Sequence, residues 1–113
     1  MKGLIIKSPW IDMVLDGYKD IELRGNNTTI RGTVGLIKSG SKMVYGTVDL
    51  VDCLPIETEE LYSQYRNRHR VPYDFKDIKY KNLYGWVFKN PKRYTKPKPY
   101  NHKQGCVIWV NID

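Results

Sequence analysis

Only two cysteines occur among the 113 residues, Cys53 and Cys106, and neither stands in the short Cys/His spacings that hold zinc. A disulfide scaffold and a zinc module are therefore excluded as organising principles. Both thiols read as reduced, small core residues, and neither a metal nor a cofactor is expected. Long apolar runs are lacking too. The longest, Cys106-Val107-Ile108-Trp109-Val110, is far short of the ~20 residues that span a bilayer, and the amino terminus lacks the apolar stretch of a signal peptide. A cytoplasmic protein with no membrane partner is the expectation. The only histidines, His69 and His102, have no nucleophile that sequence could place beside them, so no catalytic triad can be nominated. Gly35 to Lys42 lacks the Gly-Lys-Ser/Thr order of a phosphate-binding P-loop.

Acidic residues are scarce in one stretch. Residues 62–104 hold twelve Lys/Arg against two Asp/Glu, whereas residues 1–61 hold seven against nine, so the net charge of +7 is concentrated in the later part of the chain. Clustered cations gain affinity for polyphosphates by releasing condensed counterions. A polyanionic partner is what this implies, RNA or DNA alike. The plain alternative is a solvated basic face that aids solubility.

What is present suits one globular unit. The length supports a single hydrophobic core, residues 1–113 as one domain, and 41% hydrophobic with 27% charged residues is an ordinary soluble balance. Leu4, Ile5 and Ile6 between Lys2 and Lys7 form a run of strand length. Ser8 as N-cap, Pro9 at the first helical position and Gly17 as left-handed cap predict a helix over Pro9–Asp16. Asp20 to Arg24 alternates polar and apolar, which on a strand sends Ile21 and Leu23 inward and makes Glu22 and Arg24 same-face neighbours. Thr33 to Lys38 and Val44 to Cys53 read as strands joined by the turn Ser39–Lys42, with Gly46 at a bulge or a close backbone approach. Leu61, Gln64, Tyr65 and Arg68 recur at helical spacing up to His69. Val71 to Asn82 reads as a loop. Leu83 to Lys89 and Gly105 to Ile112 are the last strands, separated by a Pro- and Lys-rich connection. Five or six short strands with two short helices and no βαβ alternation predict an α+β domain whose sheet curls into a barrel.

Gly17-x-Lys19-x-x-Glu22-x-Arg24 resembles the GxKxxExR signature of the ASCH domain, a family with a PUA-like mixed β-barrel. The resemblance extends to Ser8-Pro9-Trp10, to Ser39-Gly40 followed by Tyr45-Gly46-x-Val48, and to Tyr84-Gly85-Trp86-Val87 through Gln104-Gly105-Cys106-Val107-Ile108-Trp109. It implies a cleft beside the first helix and the signature, and a nucleic-acid-related role: proteins of this fold commonly bind RNA, and some ASCH members cleave RNA or hydrolyse acetylated cytidine. Those hydrolysing members carry a threonine nucleophile where Glu22 stands here, a departure that leaves their covalent mechanism without its nucleophile.

The residues carry their own chemistry. Lys19, between a helix cap and a strand, is expected to project its ammonium at an edge toward a phosphate or base carbonyl. Glu22 can accept from an exocyclic amino group or act as a general base, and Arg24 can hold that carboxylate or a phosphate. An ordinary surface Glu22–Arg24 ion pair with Lys19 solvated is the plain alternative. Candidate ligand-binding residues are thus Ser8, Trp10, Lys19, Glu22, Arg24, Lys38, Ser39 and Trp86. Lys89, Lys92, Arg93 and Tyr94 join them from a basic segment whose aromatic rings can stack bases beside phosphate-binding cations. Two functions follow: a binding domain for RNA or a modified nucleobase, or a small hydrolase in which Lys19 and Glu22 are catalytic.

Overall fold

The computed structural model describes residues 1–112. Its elements run β1 (Lys2–Ile6), α1 (Trp10–Leu15), β2 (Ile21–Arg24), β3 (Gly32–Lys38), β4 (Met43–Pro55), α2 (Glu59–Gln64), α3 (Arg66–His69), a 3-10 turn at Phe75–Asp77, β5 (Tyr84–Pro99) and β6 (Trp109–Asn111). The class is mixed α+β: one six-stranded sheet with three small helices. No helix among the described residues is long and apolar enough to cross a membrane.

The strands lie in the order β2-β5-β4-β3-β1-β6. All neighbours are antiparallel except β1 and β3, which pair in parallel because α1 and β2 are spent in the connection between them. The expected barrel is not closed. β2 and β6 are the two edges and share no ladder; each is short, four and three residues. Across the seam side chains substitute for a ladder: Arg24 at the end of β2 donates from Nη2 to the Ile5 carbonyl of β1 at 2.8 Å, and the Trp86 and Trp109 rings stack at 5.7 Å.

Inside the curl, Leu4, Ile6, Val34, Leu36, Val48, Leu50, Trp86 and Phe88 meet Ile11, Val14 and Leu15 of α1. The helical spacing of those three gives α1 one buried face. A second cluster, outside the curl, packs Ile21, Leu23 and Val87 against Ile56, Tyr62 and Val71. β5 is therefore covered on both faces along Trp86 to Phe88, whereas β2 adds only Ile21 and Leu23 to the second cluster.

Several expectations change. Ser8 is exposed and caps nothing; α1 begins after Pro9 with no side-chain cap. Gly17 does take the left-handed conformation, φ +86°. The second predicted helix is two, broken at Tyr65 and ended by Arg70 in a left-handed conformation without a glycine. The basic connection from Lys89 onward is strand: β5 runs sixteen residues to Pro99. Conversely the last strand is only Trp109–Asn111, and Gly105 to Ile108 lie outside it. Gly46 sits at a register shift between β4 and β5, close against the Lys92 carbonyl. Cys53 and Cys106 are free and half-buried, packed at the margin of the core rather than inside it.

Candidate functional site

The unclosed seam is also where the molecule opens. A cavity of about 300 Å³ is lined by Ile5 and Lys7 from β1 and its end, by Glu22, Leu23 and Arg24 from β2, and by Trp10, Lys19 and Ser39. Val71, Tyr73, Ile78 and Tyr80 close its far side. The segment from Val71 to Asn82, which reads as featureless loop, thus supplies a wall containing two exposed tyrosines.

Glu22 lies at the floor between two cations. Its Oε2 accepts from Arg24 Nε at 3.1 Å and Nη2 at 2.9 Å, and its Oε1 stands 3.5 Å from Lys19 Nζ. The strand places Glu22 and Arg24 on one face, as the alternation predicts. Asp20 falls outside β2, and its carboxylate turns away to Arg68 at 2.9 Å. The pairing is not a surface pair: Glu22 and Arg24 side chains are 8% and 17% exposed.

Lys19 corrects the expectation of an edge-projected ammonium. It is 1% exposed, donates to the His69 carbonyl at 2.6 Å and lies 5.2 Å from the Trp10 ring centroid. Burial lowers its pKa, opposed by the Glu22 carboxylate. Of three ammonium donors, His69 and Glu22 engage two, which leaves one. Although Lys19 and Glu22 line the cavity, their low exposure makes them its floor, so a ligand meets them only at their tips. Trp10, Arg24, Tyr73 and Tyr80 offer the larger contact area.

His69, which belongs to no sequence motif, is central to this arrangement. It is fully buried, with Nδ1 accepting from Val71 N–H at 3.0 Å and Nε2 at 2.9 Å from the Tyr62 carbonyl. Nδ1 must be the acceptor, so Nε2 carries the hydrogen and the ring is neutral. Burial, the larger effect, holds its pKa below the ordinary histidine value, and the neighbouring Lys19 and Arg66 charges add to this. A ring so fixed orients the carbonyl that anchors Lys19. A lone histidine at the end of a helical pattern carries no sequence signal of such a role.

The other candidates divide. Ser39 lines the cavity; Trp86 borders a neighbouring one beside Arg24, buried, with Nε1 donating to the Asn26 carbonyl at 2.9 Å. Ser8 does not line the cleft. Lys38 turns instead to Asp12 at 3.3 Å and the Tyr45 ring. Arg93 is held by Asp12 and Asp16 at 3.3 and 2.9 Å, tying β5 to α1. Lys89, Lys92 and Tyr94 lie along β5 away from the cleft lining, Lys89 bordering a separate hollow behind Lys19. Arg66, Arg68 and Arg70 donate to the Val71 carbonyl, to Asp20 and to the Tyr18 carbonyl. Part of the lopsided charge is therefore spent inside the molecule, and lysines carry most of what faces solvent.

The family model for the ASCH domain matches residues 4–98. The chain belongs to the ASCH domain family. Among solved structures it is similar to ASCH from Zymomonas mobilis, with a TM-score of 0.72 at 12% identity over 87% of this chain and 72% of that one. A serine-to-alanine mutant of the same Zymomonas protein superposes with a TM-score of 0.77 at 11% identity over 99% and 87%. At such identity the likeness is one of ASCH fold alone. No curated protein matches in sequence.

Proposed function

We propose that this ASCH domain is a nucleic-acid-related binding domain that takes a single base of RNA, or a modified base, into the cleft at the seam. The observation that carries this reading is the buried Glu22 carboxylate at the floor of a small cavity rimmed by Trp10, Tyr73 and Tyr80. A carboxylate accepts from exocyclic amino groups, a lysine or arginine beside it donates to base carbonyls, and aromatic rings supply stacking surface. The cavity volume stands at the low end for ligand sites, which suits one base and its sugar rather than a stacked run. The exposed lysines of β5 and the following segment supply phosphate contacts.

A fluorescein-labelled single-stranded RNA of mixed sequence tests this. Affinity should fall log-linearly with salt, by about 0.7 of a log unit per phosphate contact for each tenfold rise. Glu22→Gln should weaken binding while leaving that slope unchanged, because it alters base recognition and not phosphate contact. A flat salt response, or a Glu22→Gln variant that binds as the parent does, refutes the reading.

A second reading is favoured by the lowered pKa of a buried lysine hydrogen-bonded into the same cavity as a carboxylate, an arrangement common at catalytic sites. Here the domain hydrolyses single-stranded RNA or an acylated nucleoside such as N4-acetylcytidine. Glu22 activates water as general base and Lys19 stabilises the oxyanion. Turnover of N4-acetylcytidine or RNA that is lost in both Lys19→Ala and Glu22→Ala supports it, and activity retained in Glu22→Ala excludes it.

A further inference from the structure

The cleft does not end at Ser39. A second cavity of about 360 Å³ shares Ile5, Lys7, Ser39 and Val107 with it, so the two are ends of one groove. The chemistry of the ends differs. The first holds the Glu22 carboxylate; the second has no acid in its lining, and its polar groups are Lys7, Ser39, Lys42, Tyr100 and His102. Lys7 and Lys42 are exposed, and neither ammonium forms an ion pair among the described residues. In that they contrast with Lys38 and Arg93, which Asp12 and Asp16 hold in ion pairs.

The supporting turn is shaped to present these groups. Lys42 takes φ +56°, a conformation side chains other than Gly, Asn and Asp rarely adopt. The Ser41 hydroxyl holds the turn by donating to the Lys38 carbonyl at 2.7 Å and accepting from Met43 N–H at 3.0 Å. Across the groove the His102 ring is oriented by a 2.8 Å hydrogen bond between Nδ1 and the Tyr100 hydroxyl, which leaves Nε2 for a ligand.

We infer that this acid-free end binds the phosphate adjoining the base held in the cleft, so that the unit recognised is a nucleotide and not a free base or nucleoside. Two unpaired ammonium groups and a hydroxyl, with an imidazole beside them, form a set suited to a phosphate dianion or diester. Its place at the other end of a groove from the carboxylate matches the polarity of a nucleotide, amino-bearing base at one end and anion at the other. The inference rests on the base-binding reading above.

The test is an amide and indole chemical-shift titration of the full chain. The ligands are the four ribonucleosides, their 5′- and 3′-monophosphates, and inorganic phosphate. For the base that binds, one monophosphate should bind about tenfold tighter than its nucleoside, the effect of a charge-assisted contact. It should shift both the Trp10 indole and the amides of Ser39 to Lys42. The double variant Lys7→Ala/Lys42→Ala should lose the tenfold advantage and keep nucleoside binding, whereas Lys2→Ala, an exposed lysine outside the groove lining, should keep both. Equal affinity for nucleosides and monophosphates, or an advantage that survives the double variant, overturns the phosphate site and leaves the base pocket standing. Shifts at Ser39 to Lys42 with inorganic phosphate while Trp10 never moves support the phosphate site and overturn the base pocket. If no ligand moves either end, both fall.

Discussion

Replacing the two cations that flank Glu22, one at a time, should have unequal consequences. Arg24 donates twice to Oε2 and once to the Ile5 carbonyl, so Arg24→Met leaves a carboxylate only 8% exposed with the longer 3.5 Å contact to Lys19 alone and unpairs a strand carbonyl at the seam. Breaking a buried pair from one side costs about 3–5 kcal/mol, a large share of the ~5–15 kcal/mol available to a small domain. Lys19→Met is milder. It removes the donor to the His69 carbonyl, worth about 1–2 kcal/mol, but it also relieves the burial cost of an ammonium, and Glu22 keeps Arg24. The net change should lie between roughly 0 and 2 kcal/mol. Urea unfolding followed by tryptophan fluorescence reads both, and at about 4 °C per kcal/mol the Arg24→Met melting temperature should drop by roughly 12–20 °C. Adding Glu22→Gln to Arg24→Met neutralises the underpaired carboxylate and should recover part of that loss, a non-additivity expected of residues in contact. If Lys19→Met proves more damaging than Arg24→Met, or the double variant recovers nothing, the carboxylate is not the element that the seam depends on and the reasoning fails.

Acid should weaken the wall of the cleft through His69. Its folded pKa lies below the ordinary value, so the unfolded chain binds the proton more readily. Stability is then complete above about pH 6.5 and lost at up to about 1.4 kcal/mol per pH unit on acidification below it. Urea midpoints from pH 7.5 to 5.5 should fall in the parent and stay flatter in His69→Gln; parallel curves would remove His69 from the account. At Gly46 a methyl group would meet the Lys92 carbonyl, the Leu15 Cδ2 at 2.8 Å and the Arg93 Cα at 3.0 Å. Gly46→Ala should cost about 2–3 kcal/mol by urea titration because two of those atoms are backbone, and a cost below about 0.5 kcal/mol would show that β4 and β5 part easily there.

How much of this the sequence disclosed follows from how local the determinants are. The first strand, α1 and β2 depend on short-range apolar periods and on Gly17, and they are where those signals put them. For β5 the sequence predicts too short a strand, ending at Lys89, because Pro91, Pro97 and Pro99 argue against its continuation. The structure explains their tolerance: β2 covers β5 only along Tyr84 to Val87, so beyond that point one edge of β5 needs no backbone donors. Lys19 and Glu22 stand together in the signature, but nothing local signals the burial of Lys19, because its anchor is the carbonyl of His69, fifty residues away. Barrel closure likewise depends on how far two short edge strands reach toward each other, a distance no periodicity encodes.

The stacked indoles of Trp86 and Trp109, 13° from coplanar, have a consequence for how folding can be watched. β6 can dock only after β1 is in place, since it pairs with Lys2 to Leu4 at the far end of the chain, and contacts of such separation close slowly. Two near-parallel chromophores at that spacing couple their electronic transitions, whereas Trp10 sits apart at the cleft. The chain therefore carries a built-in clock for its last strand, an exciton signal in the ultraviolet that rises when β6 seats. A separate single-ring emission can follow the cleft.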